Sequence, residues 1–126
     1  MPELRGRITA GLGEGSYYVG EYSDRIRENL GFAPFLGTLN VKLNFEIPDM
    51  KEYVGYRIDK FEKDGKEFNA VEFIPAEILV GDGAEGCYIT VPERTKHRHE
   101  IEILSEFNLR EKLELKNGDE IVVRIT

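Results

Sequence analysis

The sequence predicts a mainly β fold, a small compact barrel with a few short helices. Three observations carry this. Short runs of alternating apolar residues recur between turns rich in glycine and proline. Lys63-Asp64-Gly65-Lys66 sets Asp-Gly, the pair suited to a two-residue hairpin turn, between two such runs. The strand–helix–strand alternation that builds parallel sheets is missing.

The elements follow in order. Residues 5–10 read as a first strand running into a glycine loop, and Tyr17-Tyr18-Val19 resumes it. Ser23 suits the N-cap of a short helix over 24–30, with Gly31 as its stop. Pro34 and Gly37 break the chain before a strand over 38–43, and residues 47–50 form a turn or a single helical turn. Strands over 56–62 and 67–74 flank the Asp64-Gly65 hairpin. Pro75 limits the second of them, and Ile78-Leu79-Val80 resumes it as a buried run. Residues 81–86 form a glycine-rich turn whose Asp82 and Glu85 would repel phosphate. A strand over 87–91 ends at Pro92, and a polar stretch over 93–100 carries both histidines. A short strand covers 101–104, and Asn108 caps a helix over 109–113. Residues 116–119 turn the chain into a last strand over 120–125.

A chain of 126 residues suits one domain, 1–126, with a single core. With 40% hydrophobic and 33% charged residues it is expected to fold and dissolve. No apolar run is long enough to span a bilayer, and the start lacks the apolar segment of a signal peptide, so a cytoplasmic protein is expected. Cys87 is the only cysteine, which excludes an internal disulfide, and its apolar neighbours read it as buried filler. The net charge of −7 disfavours binding to nucleic-acid phosphates.

Two stretches carry chemistry. Gly11-Leu12-Gly13-Glu14-Gly15-Ser16 packs three glycines into five residues, so its backbone can approach a ligand closely and its N–H groups can converge on a phosphate. It lacks the Gly-Lys-Ser/Thr ending of a Walker A loop, and Ser16 stands where a dinucleotide fingerprint needs its third glycine. Gly37-Thr38-Leu39-Asn40-Val41-Lys42-Leu43 sets Thr38 and Asn40 on one face of a strand. Two neutral oxygen donors so placed suit a hydrated Mg²⁺ that already bridges phosphates. Taken singly, the first stretch also reads as a tight connection and the second as an ordinary half-buried strand.

The order of these and further motifs resembles the archaeal CTP-dependent riboflavin kinases. The run Gly-Leu-Gly-Glu-Gly-x-Tyr-Tyr is followed by Leu30-Gly31-Phe32-x-Pro34-Phe35-x-Gly37-Thr38-Leu39-Asn40-Val41-Lys42-Leu43. Then come Val91-Pro92-x-x-Thr95-x-His97, Ile101-Glu102-Ile103 and Asn108-Leu109-Arg110-Glu111. The resemblance spans about the whole chain. It implies a six-stranded cradle-loop (RIFT-related) β-barrel. It implies transfer of the CTP γ-phosphate to the riboflavin 5′-hydroxyl, giving FMN and CDP. Gly11, Leu12, Gly13, Glu14, Gly15 and Ser16, with Phe107, Asn108, Leu109 and Arg110, would bind CTP or CDP. Thr38 and Asn40 would bind Mg²⁺, and Thr95 and Glu102 would bind riboflavin or FMN, with Glu100 the fallback for Glu102. Ser16 departs from the basic residue common in that family. No general base is assigned; His97 and His99 read as solvated. The partners expected are two small molecules, with neither nucleic acid nor membrane, and the chain is expected to act as a monomer.

Two competing readings stand beside this. Residues 109–123 resemble the end of AbrB-type transcription factors, whose related barrel binds DNA. That match covers the last part of the chain and leaves the glycine loop unexplained. The other is a flavin-binding protein without catalysis.

Overall fold

The computed structural model describes residues 2–11, 14–92 and 98–126. The alternation seen in the sequence becomes a closed barrel. Its strands are β1 (Glu3–Thr9), β2 (Leu39–Leu43), β6 (Val71–Val80), β7 (Gly83–Pro92), β8 (Glu100–Leu104) and β9 (Glu120–Ile125). They neighbour one another in the order β6-β7-β8-β2-β1-β9, each pair antiparallel, and β9 closes the ring on β6. Every second residue points inward, so Leu4, Ile8, Val41, Ile74, Ile89, Ile103 and Val123 fill the interior. Cys87 belongs to this core, and burial pushes its thiol up to about 12, so it is filler and not a nucleophile.

A second apolar layer covers one outer face. Helix α1 (Gly15–Leu30) buries Val19, Tyr22 and Ile26 against Ile58, Phe68, Phe73 and Leu104. Three short strands frame it: β3 (Tyr56–Ile58) extends the barrel sheet beside β6, and β4 (Phe61–Lys63) pairs with β5 (Lys66–Phe68). The β4–β5 turn has Asp64 at φ 52° and Gly65 at φ 76°, the paired positive values that Asp-Gly is suited to adopt. Helix α2 (Leu109–Lys112) precedes β9, and a single 3₁₀ turn covers Lys51–Tyr53. No helix among the described residues is long and apolar enough to cross a membrane.

Several expectations are corrected, among them the turn over 81–86, of which 83–86 already belong to β7. Helix α1 begins at Gly15, not at 24, so Tyr17-Tyr18-Val19 is helical and resumes no strand. Ser23 lies inside the helix, its hydroxyl donating to the Gly20 carbonyl at 3.0 Å, and Glu14 stands at the N-cap. The expected strand over 56–62 divides between β3 and β4, which join different sheets. Pro75 does not interrupt β6, because one edge of β6 pairs with β3 at Val71–Phe73 and with β9 at Ala76–Leu79. The proline, which has no N–H, sits between those two partners.

Gly20 lies within α1, and a Cβ added there meets nothing within 4 Å. Gly20→Ala is therefore expected to stabilise the fold by about 0.5–1 kcal/mol through the helix preference of alanine. Thermal unfolding followed by circular dichroism checks this, and an unchanged or lower midpoint contradicts it.

Candidate functional site

The glycine loop joins β1 to the N-terminus of α1, where the first turn of a helix leaves its N–H groups without carbonyl partners in the helix. Strand, loop and helix thus follow one another, although β2 returns antiparallel to β1. Gly11 and Gly15, at the two ends of the loop, lie directly against Asn40 and Thr38. A Cβ at Gly11 would stand 1.7 Å from Asn40 Nδ2, and one at Gly15 would stand 2.8 Å from Thr38 Oγ1. No side chain larger than hydrogen fits at Gly11 without displacing the Asn40 amide. The glycines are needed here for close approach to two side chains of the candidate metal site.

Asn40 alternates with Leu39 and Val41, which face the barrel interior, so its amide points outward. It is nonetheless only 8% exposed. Its Oδ1 is buried and has no hydrogen-bond partner among the described residues. A buried acceptor left this way costs about 1–3 kcal/mol, a cost that a bound cation would remove. The donor set of Thr38 Oγ1 and Asn40 Oδ1 fits Mg²⁺ that also takes phosphate oxygens and water. Among the described residues no group of three or more His, Cys, Asp or Glu could hold a metal on its own.

The register places a row of polar residues beside Asn40. Thr9 pairs with Asn40, Asn40 with Glu102, and Glu102 with Thr90, across β1, β2, β8 and β7. Paired residues share a face and lie one strand spacing apart, about 5 Å. The candidate flavin residue Glu102 therefore stands next to the candidate metal ligand Asn40. Glu100 pairs with Lys42, one step along the same face. Thr95, Leu12, Gly13 and His97 lie outside the described residues.

A cleft of about 180 Å³ opens beside Thr38. Phe107, Asn108, Leu109 and Arg110 line it together with Phe35, Gly37 and Ser105. Residues some seventy positions apart in the chain thus meet at one opening. Among the described residues that line it, Arg110 alone is charged. Its Nη2 donates to the Thr9 carbonyl at 3.0 Å and to Asn117 Oδ1 at 2.7 Å, so the guanidinium is fixed between β1 and the turn before β9. Asn108 Oδ1 accepts the Glu111 N–H at 3.4 Å and caps α2, as its position in the sequence suggests. Glu14 is exposed, and its side chain makes no cap bond; its carbonyl accepts the Tyr18 N–H at 3.2 Å. Ser16 is exposed in the first turn of α1.

Sequence reasoning missed Phe35 and Ser105 as lining residues. The one signal for Ser105 is a serine at the end of an apolar strand, and it proves 95% buried in the sense that only 5% of its surface is exposed.

Comparison with known proteins agrees with the motif order. The model of the family CTP-dep_RFKase, described as a domain of unknown function, DUF120, matches residues 8–125. A riboflavin kinase of Thermococcus kodakarensis is 44% identical over 124 residues, covering 95% of this chain and 57% of that protein. A riboflavin kinase of Thermoplasma acidophilum is 36% identical over 128 residues, covering 97% of this chain and 56% of that protein. One of Haloquadratum walsbyi is 38% identical over 131 residues, at 98% and 56% coverage. The chain spans a little over half the length of these relatives. Matched along nearly its whole length by both the family model and these relatives, the chain belongs to the CTP-dep_RFKase family.

Proposed function

We propose that this chain is a CTP-dependent riboflavin kinase. The bond between the γ-phosphorus of CTP and its β-bridging oxygen breaks. A new bond forms from that phosphorus to the riboflavin 5′-oxygen, the hydroxyl proton is released, and FMN and CDP leave. The observation that carries the reading is Gly11 set against the Asn40 amide and Gly15 against Thr38 Oγ1, with Asn40 Oδ1 buried and without a hydrogen-bond partner among the described residues. Phosphoryl transfer needs positioning and charge neutralisation more than covalent help from the protein.

In this reading Thr38 and Asn40 hold Mg²⁺, which supplies neutralisation of phosphate oxygens when bound. The loop at Gly11, Leu12, Gly13, Glu14, Gly15 and Ser16 cradles the phosphates with backbone N–H groups at the head of α1. Ser16, a neutral donor, stands in for a cation there. Phe107, Asn108, Leu109 and Arg110 hold the rest of the nucleotide in the cleft. Thr95 and Glu102 bind riboflavin, and the pairing of Glu102 with Asn40 would bring the acceptor hydroxyl close to the metal-bound phosphates. The chain is read as a cytoplasmic monomer that acts on small molecules; its net charge of −7 opposes nucleic acid as a partner.

Incubating the chain with riboflavin, Mg²⁺ and each of CTP, UTP, ATP and GTP in turn tests this. FMN, separated by chromatography, is expected to accumulate with CTP at least about tenfold faster than with the other three, a difference of one good hydrogen-bond contact to the base. Absence of FMN with every nucleotide overturns the kinase reading; equal rates with all four overturn the CTP preference alone.

A further inference from the structure

Ser105 sits between β8 and α2 and is only 5% exposed. Both of its polar ends are engaged, and each holds a phenylalanine. Its carbonyl accepts the Phe35 N–H at 2.9 Å. Its hydroxyl accepts the Phe107 N–H at 3.0 Å. Phe35 and Phe107 come from distant parts of the chain, yet both line the cleft beside Thr38. They are 40% and 43% exposed, so part of each ring is open to a ligand.

Each ring is braced further. Phe35 packs against Gly37, where an added Cβ would fall 3.0 Å from its Cε2. Lys112 Nζ lies 3.6 Å from the centre of the Phe107 ring and 2.7 Å from Glu85 Oε1. The cation occupies one face of Phe107 and leaves the other for a second ring. A cation on one face also draws density from the π-system, which favours stacking of an electron-rich heterocycle on the opposite face.

We propose that Ser105 is a positioning residue, which sets Phe35 and Phe107 as the aromatic walls of a slot for the base of the donor nucleotide. The proposal rests on the nucleotide reading above and adds to it the residue that holds the slot in shape. A cleft of about 180 Å³ has room for a single heterocyclic ring. Thr38 at the same opening puts the phosphates of that nucleotide on the side of the glycine loop.

The test compares Ser105→Ala, which removes the hydroxyl acceptor, with Ser105→Thr, which keeps it. Calorimetry measures CDP, inorganic pyrophosphate and riboflavin, each with Mg²⁺, on the whole chain. Ser105→Ala is expected to weaken CDP about tenfold, the size of one lost hydrogen bond, and pyrophosphate and riboflavin by less than about twofold. Ser105→Thr is expected to restore CDP affinity. Equal weakening of CDP and pyrophosphate, or unchanged CDP affinity in Ser105→Ala, overturns the proposal. Should Ser105→Ala not fold, Phe107→Leu decides, since leucine keeps apolar bulk but has no π-face: CDP must weaken while pyrophosphate does not. CDP binding by the unaltered chain is the separate check on the nucleotide reading, and its absence removes that reading and the proposal with it.

Discussion

Replacing Thr38 by Val and Asn40 by Ala together is expected to lower the rate of FMN formation about 10²–10³-fold, the scale of losing preorganised charge stabilisation at a phosphoryl group. The fold should survive. Valine keeps the β-branched shape of threonine. Asn40→Ala deletes the buried Oδ1 that has no partner among the described residues, which relieves about 1–3 kcal/mol of desolvation and offsets the packing lost with the amide. The double variant should therefore melt within a few degrees of the parent while losing nearly all turnover. Rates measured as Mg²⁺ is titrated, alongside thermal unfolding, separate the two effects. Turnover close to the parent at limiting Mg²⁺ would show that these oxygens hold no metal.

Gly11→Ala and Gly15→Val attack the same site from the other side. The new Cβ at Gly11 would fall 1.7 Å from Asn40 Nδ2, and that at Gly15 would fall 2.8 Å from Thr38 Oγ1. At Gly11 something must shift by more than an ångström and at Gly15 by roughly half that; a displacement near an ångström in a reacting geometry costs on the order of 10²-fold in rate. Nucleotide affinity should fall with it, and riboflavin affinity much less. Overpacking also costs about 1–3 kcal/mol of stability, so binding is measured well below the melting temperature. If CDP and riboflavin are lost in equal measure, the loop is an element of the fold and not a phosphate cradle.

Much of the fold was legible because its signals are local. Asp64-Gly65 announces a turn that needs two positive φ values, and both residues adopt them. The last strand, expected over 120–125, is β9 to the residue, since alternating Ile121, Val123 and Ile125 all face inward. Asn108 caps the helix that follows it. What failed depends on tertiary packing. Tyr17, Tyr18 and Val19 favour strands in isolation, yet Val19 joins Tyr22 and Ile26 in a helical stripe because a second apolar surface awaits it on Phe73 and Leu104. Ser23 looked like a cap only because that stripe was read from its middle.

The site divides the same way. The two chemistry-bearing stretches were visible as motifs, and Gly11 and Gly15 lie against Asn40 and Thr38. That Glu102 stands beside Asn40 follows from the register of β2 on β8, which no local pattern encodes. Ser105 was invisible for a related reason: its two hydrogen bonds reach Phe35 and Phe107, and only the folded chain brings the first of these to it.

The closure of the barrel has a consequence for how the protein is made. β9 pairs with β1 on one side and with β6 on the other. Until residues 120–125 have left the ribosome, both of those strands expose unpaired backbone along one edge, the kind of edge on which chains aggregate. Pairing Glu3 with Arg124 also joins residues far apart in the sequence. Such non-local contacts form slowly. Closure of the barrel thus waits on β9: without it the other strands make an open sheet, and its pairing with both β1 and β6 is the step that leaves no free edge between them.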